Sequence, residues 1–226
     1  MQAVTGFGFA LVVVPPSIVL VDRLTVVTAL IVMSPSLNAL LVGRIKAEVD
    51  RRLIVTVLVA ALAGMPLGLL VLRELPNAPF QVLAGTLSIA FAALLQTGRF
   101  RLPQRQGAYA ATGFLSGAIQ MATTMSGPPI VIMLLSGDRT TGVVRRTLAV
   151  LFIGMAIPTL AILALTHSTT REGVLFGVAA IPVVLLSGYA GDQVARRLPL
   201  HLFRVLSLGA IYAAGAFGVV SGLQAF

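Results

Sequence analysis

The stretch that decides the fold occurs twice: Gln2–Pro16 reads QAVTGFGFALVVVPP, and Gln120–Leu134 reads QMATTMSGPPIVIML. Each has a Gln, a Thr three residues later, a Gly- or Pro-broken turn and then a β-branched apolar run. A second echo lies further along. Leu62–Leu83 against Leu185–Leu206, offset by 123, agrees at Leu62, Gly68, Val71, Arg73, Leu75, Pro76, Phe80, Val82 and Leu83. Nine matches in 22 positions exceed chance even in so apolar a composition. Two repeats, each with a broken hydrophobic segment at the same place, are the pattern of a secondary transporter whose substrate sits where the broken helices meet.

The rest of the chain places those repeats in a bilayer. Of 226 residues, 58% are hydrophobic and 10% charged, and the mean hydropathy is +1.01. A soluble domain of this length has too few polar side chains here to cover its surface. The net charge of +9 does not mark a nucleic-acid face, because 13 of the 16 basic residues fall in four short clusters between apolar runs. That spacing fits cytoplasmic loops beside anionic lipid, so a lipid bilayer is the expected partner and nucleic acid is not. Cysteine is absent, which removes disulfides and thiolate metal sites. The N-terminus has no basic n-region and no polar cleavage zone, so no signal peptide is expected.

Six apolar stretches are long enough to span as helices: about Leu24–Gly43, Leu53–Leu72, Pro79–Gly98, Thr147–Thr166, Gly173–Ala195 and Val205–Ala225. Pro35 and Pro66 lie inside spans and are expected to kink them. Two further segments, Met1–Val21 and Gly107–Gly137, are broken in the middle. If each crosses once, the basic residues divide equally between the two sides. If each enters and returns on one side, 13 fall on one face and three on the other. The positive-inside rule selects the second arrangement. The expected fold is therefore an all-α integral membrane protein of two inverted repeats, residues 1–98 and 107–226 in one membrane domain. Each repeat is a re-entrant (broken) helical hairpin followed by three transmembrane helices. Gly107 precedes Gln120 by 13 residues and Met1 precedes Gln2 by one, so about 12 residues of the first hairpin are expected to be missing from the repeat.

Irregular backbone at membrane depth is tolerated only where protein buries it or it lines a wet cavity. In the second hairpin the break is Thr123–Pro129. Ser126 suits an N-cap and Pro128 a first turn, which predicts a half-helix running to about Leu135. Its free N–H groups and positive dipole end form a ready anion site at the membrane centre. In the first hairpin Thr5, Gly6 and Gly8 occupy the equivalent place. The candidate substrate-binding residues are thus Gln2, Thr5, Gly6, Gly8, Gln120, Thr123, Thr124, Ser126, Gly127 and Pro128, together with Asn38 in mid-span. Asn38 either lines the cavity or bonds a carbonyl freed by Pro35. The competing reading, that small residues merely allow close helix packing, does not explain the repeated Gln and Thr.

Other polar residues are read more plainly. Asp192 suits an interfacial pair with Arg196 one turn later rather than a proton carrier. His167 and His201 fall in loops, Met121 and Met125 are packing residues, and the arginine clusters set topology, with lipid binding as a secondary role.

Three features together resemble the TauE/SafE sulfite exporter family. They are the glycine-broken Gly6-Phe7-Gly8-Phe9 leading to Val14-Pro15, its partner Ser126-Gly127-Pro128-Pro129, and Gly-x-x-x-x-x-x-Leu-Pro at both Gly68–Pro76 and Gly191–Pro199. The resemblance implies a multi-pass transporter of the bacterial (inner) cell membrane that handles sulfite, sulfonates or other small sulfur-containing anions. The first break departs from the family's three consecutive glycines: Gly8-Phe9-Ala10 stands there, which narrows the backbone approach.

The expected function is secondary transport, most simply export, of a small sulfur-containing oxyanion such as sulfite or an organosulfonate, with a passive anion channel as the alternative. No nucleotide motif is present, so energy has to come from a gradient, with a proton or sodium as the coupling ion. An enzyme is not expected, for there is no His-Glu-x-x-His, no Ser–Lys or Ser–His dyad at depth and no paired intramembrane carboxylate. No cofactor and no metal is implied.

Overall fold

A computed structural model describes residues 9–97, 101–197 and 200–225, and for 191–197 and 200–204 it describes the backbone alone. Gln2, Thr5, Gly6 and Gly8 lie outside the described residues, as do the side chains of Asp192, Arg196 and His201. Every described element is a helix. In chain order these are α1 (Phe9–Leu20), α2 (Arg23–Arg44), α3 (Arg51–Glu74), α4 (Asn77–Thr97), α5 (Gln106–Thr123), α6 (Gly127–Leu135), α7 (Thr141–Leu165), α8 (Arg171–Arg197) and α9 (Leu200–Gln224). Six of them (α2, α3, α4, α7, α8 and α9) are long and apolar enough to cross a membrane.

The ends of these helices follow from local chemistry. Asp22 precedes α2 and accepts from the Leu24 N–H at 2.9 Å, and Asp50 caps α3 through the Leu53 N–H at 3.1 Å. α3 stops at Leu75-Pro76, where the proline disfavours helical geometry in the residue before it. α7 begins at Thr141, six residues before the apolar window that predicts it. Hydropathy excludes Arg145 and Arg146, but arginine is a good helix former, so the helix extends through them. Arg204 delays the start of the apolar window of α9 in the same way, so His201, read as loop, falls in the first turn of that helix.

Glycine sets the tightest contact. Gly64-x-x-x-Gly68 on α3 meets Gly113-x-x-x-Gly117 on α5. A Cβ on Gly64 would strike the Phe114 carbonyl, and one on Gly117 the Ala61 carbonyl. Small residues four apart let backbones touch without lipid between them. α4 and α9 cross in the same way: a Cβ on Gly85 would lie 2.6 Å from the Gly215 oxygen, and one on Gly215 2.9 Å from that of Gly85. α2 packs on both α7 and α8, and α3 also touches α7. The core between them includes Leu11, Ile31, Met65, Phe80, Met121 and Met133.

Prolines inside helices leave carbonyls without donors, and the fold supplies one replacement directly. Pro15 cannot donate to Leu11, so Ser88 of α4 donates its hydroxyl to the Leu11 oxygen at 3.1 Å.

Side-chain bonds gather three basic connections at one end of the bundle. Arg52 donates to Gln106 at 3.1 Å, Arg139 to Gln104 at 2.5 Å, and Arg146 to the Ala47 carbonyl at 2.5 Å. Gln104 also donates to the Met133 carbonyl near the end of α6, at 3.0 Å. The segment before α5 and the segment after α6 are therefore stitched together, while the chain between them turns at Thr124–Ser126 and α6 packs back on α5.

Candidate functional site

α5 ends where Thr124 enters the left-handed region (φ 62, ψ 10), with its N–H bonded to the Gln120 carbonyl at 2.9 Å. Glycine or asparagine usually takes this place. A β-branched residue there is strained, and such strain concentrates at functional positions. The Thr123 hydroxyl is consumed locally, donating to Ile119 O at 3.0 Å and accepting from Met125 N at 3.4 Å.

Ser126 stands at the N-cap position of α6, as the sequence predicts, but its side chain does not cap the helix. The reason lies in the next residues. An N-cap oxygen serves the N–H groups at the second or third helical position, and these are Pro128 and Pro129, which have none. The hydroxyl instead donates to Gln120 Oε1 at 2.5 Å. Two consequences follow. The helix end offers only the Ser126 and Gly127 N–H groups, half the usual complement of four. The Gln120 amide is fixed with its oxygen occupied, which leaves its N–H groups for a ligand.

This break borders a cavity of about 50 Å³. Phe9, Ala10 and Leu11 from the start of α1 meet Gln120, Thr124, Met125, Gly127 and Pro128 there; α2 adds Leu30, Ile31, Met33, Ser34 and Leu37, α7 adds Phe152 and α8 Val184. Phe9–Leu11 of α1 and the start of α6 thus reach one cavity from different parts of the chain. The wall is mostly apolar, with Gln120 and Thr124 as polar side chains beside the break and Ser34 on α2. The Thr124 hydroxyl is buried with no hydrogen-bond partner. Ile31, whose carbonyl loses its helical donor to Pro35, also lies in the wall. Among the described residues, no Lys, Arg, Asp or Glu lines it and no group of His, Cys, Asp and Glu could hold a metal.

Of the expected residues, Gln120, Thr124, Gly127 and Pro128 come together at the cavity. Thr123 and Ser126 stand one layer behind, holding the break and Gln120. Asn38 is fully buried and donates to the Ser34 carbonyl at 2.9 Å and its hydroxyl at 3.2 Å; Ser34 rather than Asn38 is in the wall. Phe9, Phe152 and Val184 were not legible as site residues, because nothing in an apolar run distinguishes a side chain facing a cavity from one facing lipid.

The family model described as sulfite exporter TauE/SafE matches residues 1–218 of the 226. The chain belongs to the TauE/SafE family. No curated protein and no solved structure matches it. The TauE/SafE match spans both broken segments and all but the end of α9, so the cavity lies wholly within the matched region. A TauE/SafE protein with six membrane-length helices is a multi-pass membrane transport protein.

Proposed function

We propose that the chain is a secondary transporter of the bacterial inner membrane, not an enzyme, that exports a small sulfur-containing oxyanion. Two inverted repeats, each a re-entrant hairpin plus three spanning helices, would form its anion site. The observation that carries this reading is the cavity shared by Phe9–Leu11 of α1 and the start of α6. The helix dipole and the Ser126 and Gly127 N–H groups favour an anion there. Gln120 and Thr124 add neutral donors, and Gln2, Thr5, Gly6 and Gly8 are assigned to the matching side.

The repeat reading is supported by packing that survives exchange of α1 with α6, α2 with α7, α3 with α8 and α4 with α9. Under that exchange the α2–α7 and α4–α9 contacts map onto themselves, α2–α8 maps onto α3–α7, and α1–α2 onto α6–α7. The re-entrant reading is supported by the bond between Gln104 and Arg139, on either side of the α5–α6 hairpin. Rocking of one repeat against the other about the fixed site would then open it to each side in turn.

The donor set also selects among anions. Two N–H groups, one amide and the Thr124 and Ser34 hydroxyls, with no cation among the lining residues, compensate poorly for stripping the hydration of a dianion. About 50 Å³ is room for only a few water molecules. A compact monoanion such as bisulfite fits better than sulfate or a long organosulfonate. The test is a thermal-shift titration of the purified protein with sulfite, sulfate and short alkylsulfonates. Sulfite should stabilise wild type and lose its effect in Gly127→Leu, whose side chain fills the backbone approach; equal stabilisation by sulfate would refute the reading.

A further inference from the structure

A cationic cleft lies at the end of the bundle where the basic connections gather. Lys46, Glu48, Arg51 and Arg146 surround an open cleft of about 660 Å³, with Ala47 and Val49 completing it. The floor is the extended segment between α2 and α3, pinned by the Arg146 guanidinium on the Ala47 carbonyl. The Arg146 Nε–H is buried and has no acceptor. Among the described residues, none of the three cations has a carboxylate at ion-pair distance, and Asp50 is engaged in capping α3. Arg51, the first residue of α3, lines the cleft, and Arg146 reaches it from the second turn of α7. Three cations against the single carboxylate of Glu48, beside the positive start of α3, suit an anion with several oxygens.

The surface next to it identifies the anion's carrier. From Arg51 an exposed apolar stripe runs along α3 through Val55, Val59 and Leu62, which are 59%, 62% and 47% exposed. The spacing places these side chains on one helix face, directly inward from the cleft. An acyl chain lies along such a stripe when its phosphate sits at the end of it, whereas a free phosphate has no use for it. We propose that this cleft binds the headgroup of an anionic phospholipid, with one acyl chain along Val55–Val59–Leu62. Basic pockets between helices on the cytoplasmic side recognise such headgroups.

The experiment is a thermal-shift titration of the full chain in neutral detergent with phosphatidylglycerol, with phosphatidylcholine of the same acyl chains, and with inorganic phosphate. Wild type should be stabilised by phosphatidylglycerol alone. In Lys46→Gln/Arg51→Gln, which alters two exposed side chains, the half-saturating concentration should rise about thirtyfold, roughly fivefold for each cation removed. Arg171→Gln, at the opposite end of the bundle, should leave the titration unchanged. The proposal is overturned if phosphatidylglycerol titrates the double variant and wild type alike, or if inorganic phosphate reproduces the shift.

Discussion

Thr124 carries two liabilities at once: a left-handed backbone that suits glycine, and a buried hydroxyl with no partner. Both are costs to the empty protein, and a ligand that takes up the hydroxyl recovers one of them. The two can be separated. Thr124→Val keeps the shape and the backbone strain but removes the hydroxyl, so the empty protein should be as stable as wild type or more so. Sulfite affinity should nevertheless fall about tenfold or more, since hydrogen bonds to charged groups contribute about 1.5–3 kcal/mol. Thr124→Gly should raise unfolding stability by about 1 kcal/mol through relief of strain. Thermal unfolding with and without sulfite reads both effects. A second test concerns Ser126, which reaches Gln120 rather than the helix it precedes. Ser126→Ala should weaken sulfite binding only about fivefold, by loosening Gln120, and Gln120→Leu should weaken it more. Equal binding in both variants would remove Gln120 from the site.

Between elements, the stability rests on close approach. α5 lies on α3 through four glycines whose Cβ positions are occupied by the neighbouring helix. Gly117→Ala forces the backbones apart and should destabilise by about 1–3 kcal/mol, measured by thermal unfolding in detergent, with the hairpin's position over the cavity disturbed as well. At the opposite end Arg23 clasps the junction of α3 and α4, donating to Leu72 O at 2.8 Å and Arg73 O at 3.2 Å in the last turn of α3 and to Asn77 Oδ1 at the start of α4 at 2.7 Å. Its forked geometry serves carbonyls that α3 leaves open, which a lysine cannot match. Arg23→Lys should therefore lower the melting temperature while leaving sulfite affinity unchanged. The α5–α6 break was legible because Ser, Gly and two prolines sit together in an apolar run, and the half-helix ends at Leu135 as read. The bond made by Ser126 was not, since it depends on which donors the two prolines delete and on Gln120 returning one turn away. The paired glycine motifs went unread for a different reason. Glycine every fourth residue marks a helix face, but only the fold says which helix it meets.

For the whole molecule, the apolar windows located all six membrane-length helices, four of them to within two residues at each end and α7 and α9 with starts six and five residues late, because length and hydropathy are dictated by the bilayer. Charge then gathered three basic connections at one end, where side-chain bonds hold them. The far wall of the cavity, from α2, α7 and α8, depends on tertiary packing and left no trace in the sequence. The absence of cysteine makes the orientation directly measurable. Single cysteines at positions 104 and 139 should both react from the cytoplasmic side, and labelling of either from the outside would contradict the re-entrant hairpin. The central claim is that a small oxyanion crosses the membrane through the cavity shared by α1 and α6. The most direct measurement is counterflow of radiolabelled sulfite in proteoliposomes preloaded with unlabelled sulfite. Saturable counterflow in wild type, abolished in Gly127→Leu that is still inserted and folded, is the expected result. Unsaturable flux without counterflow, or full counterflow in that variant, would contradict it.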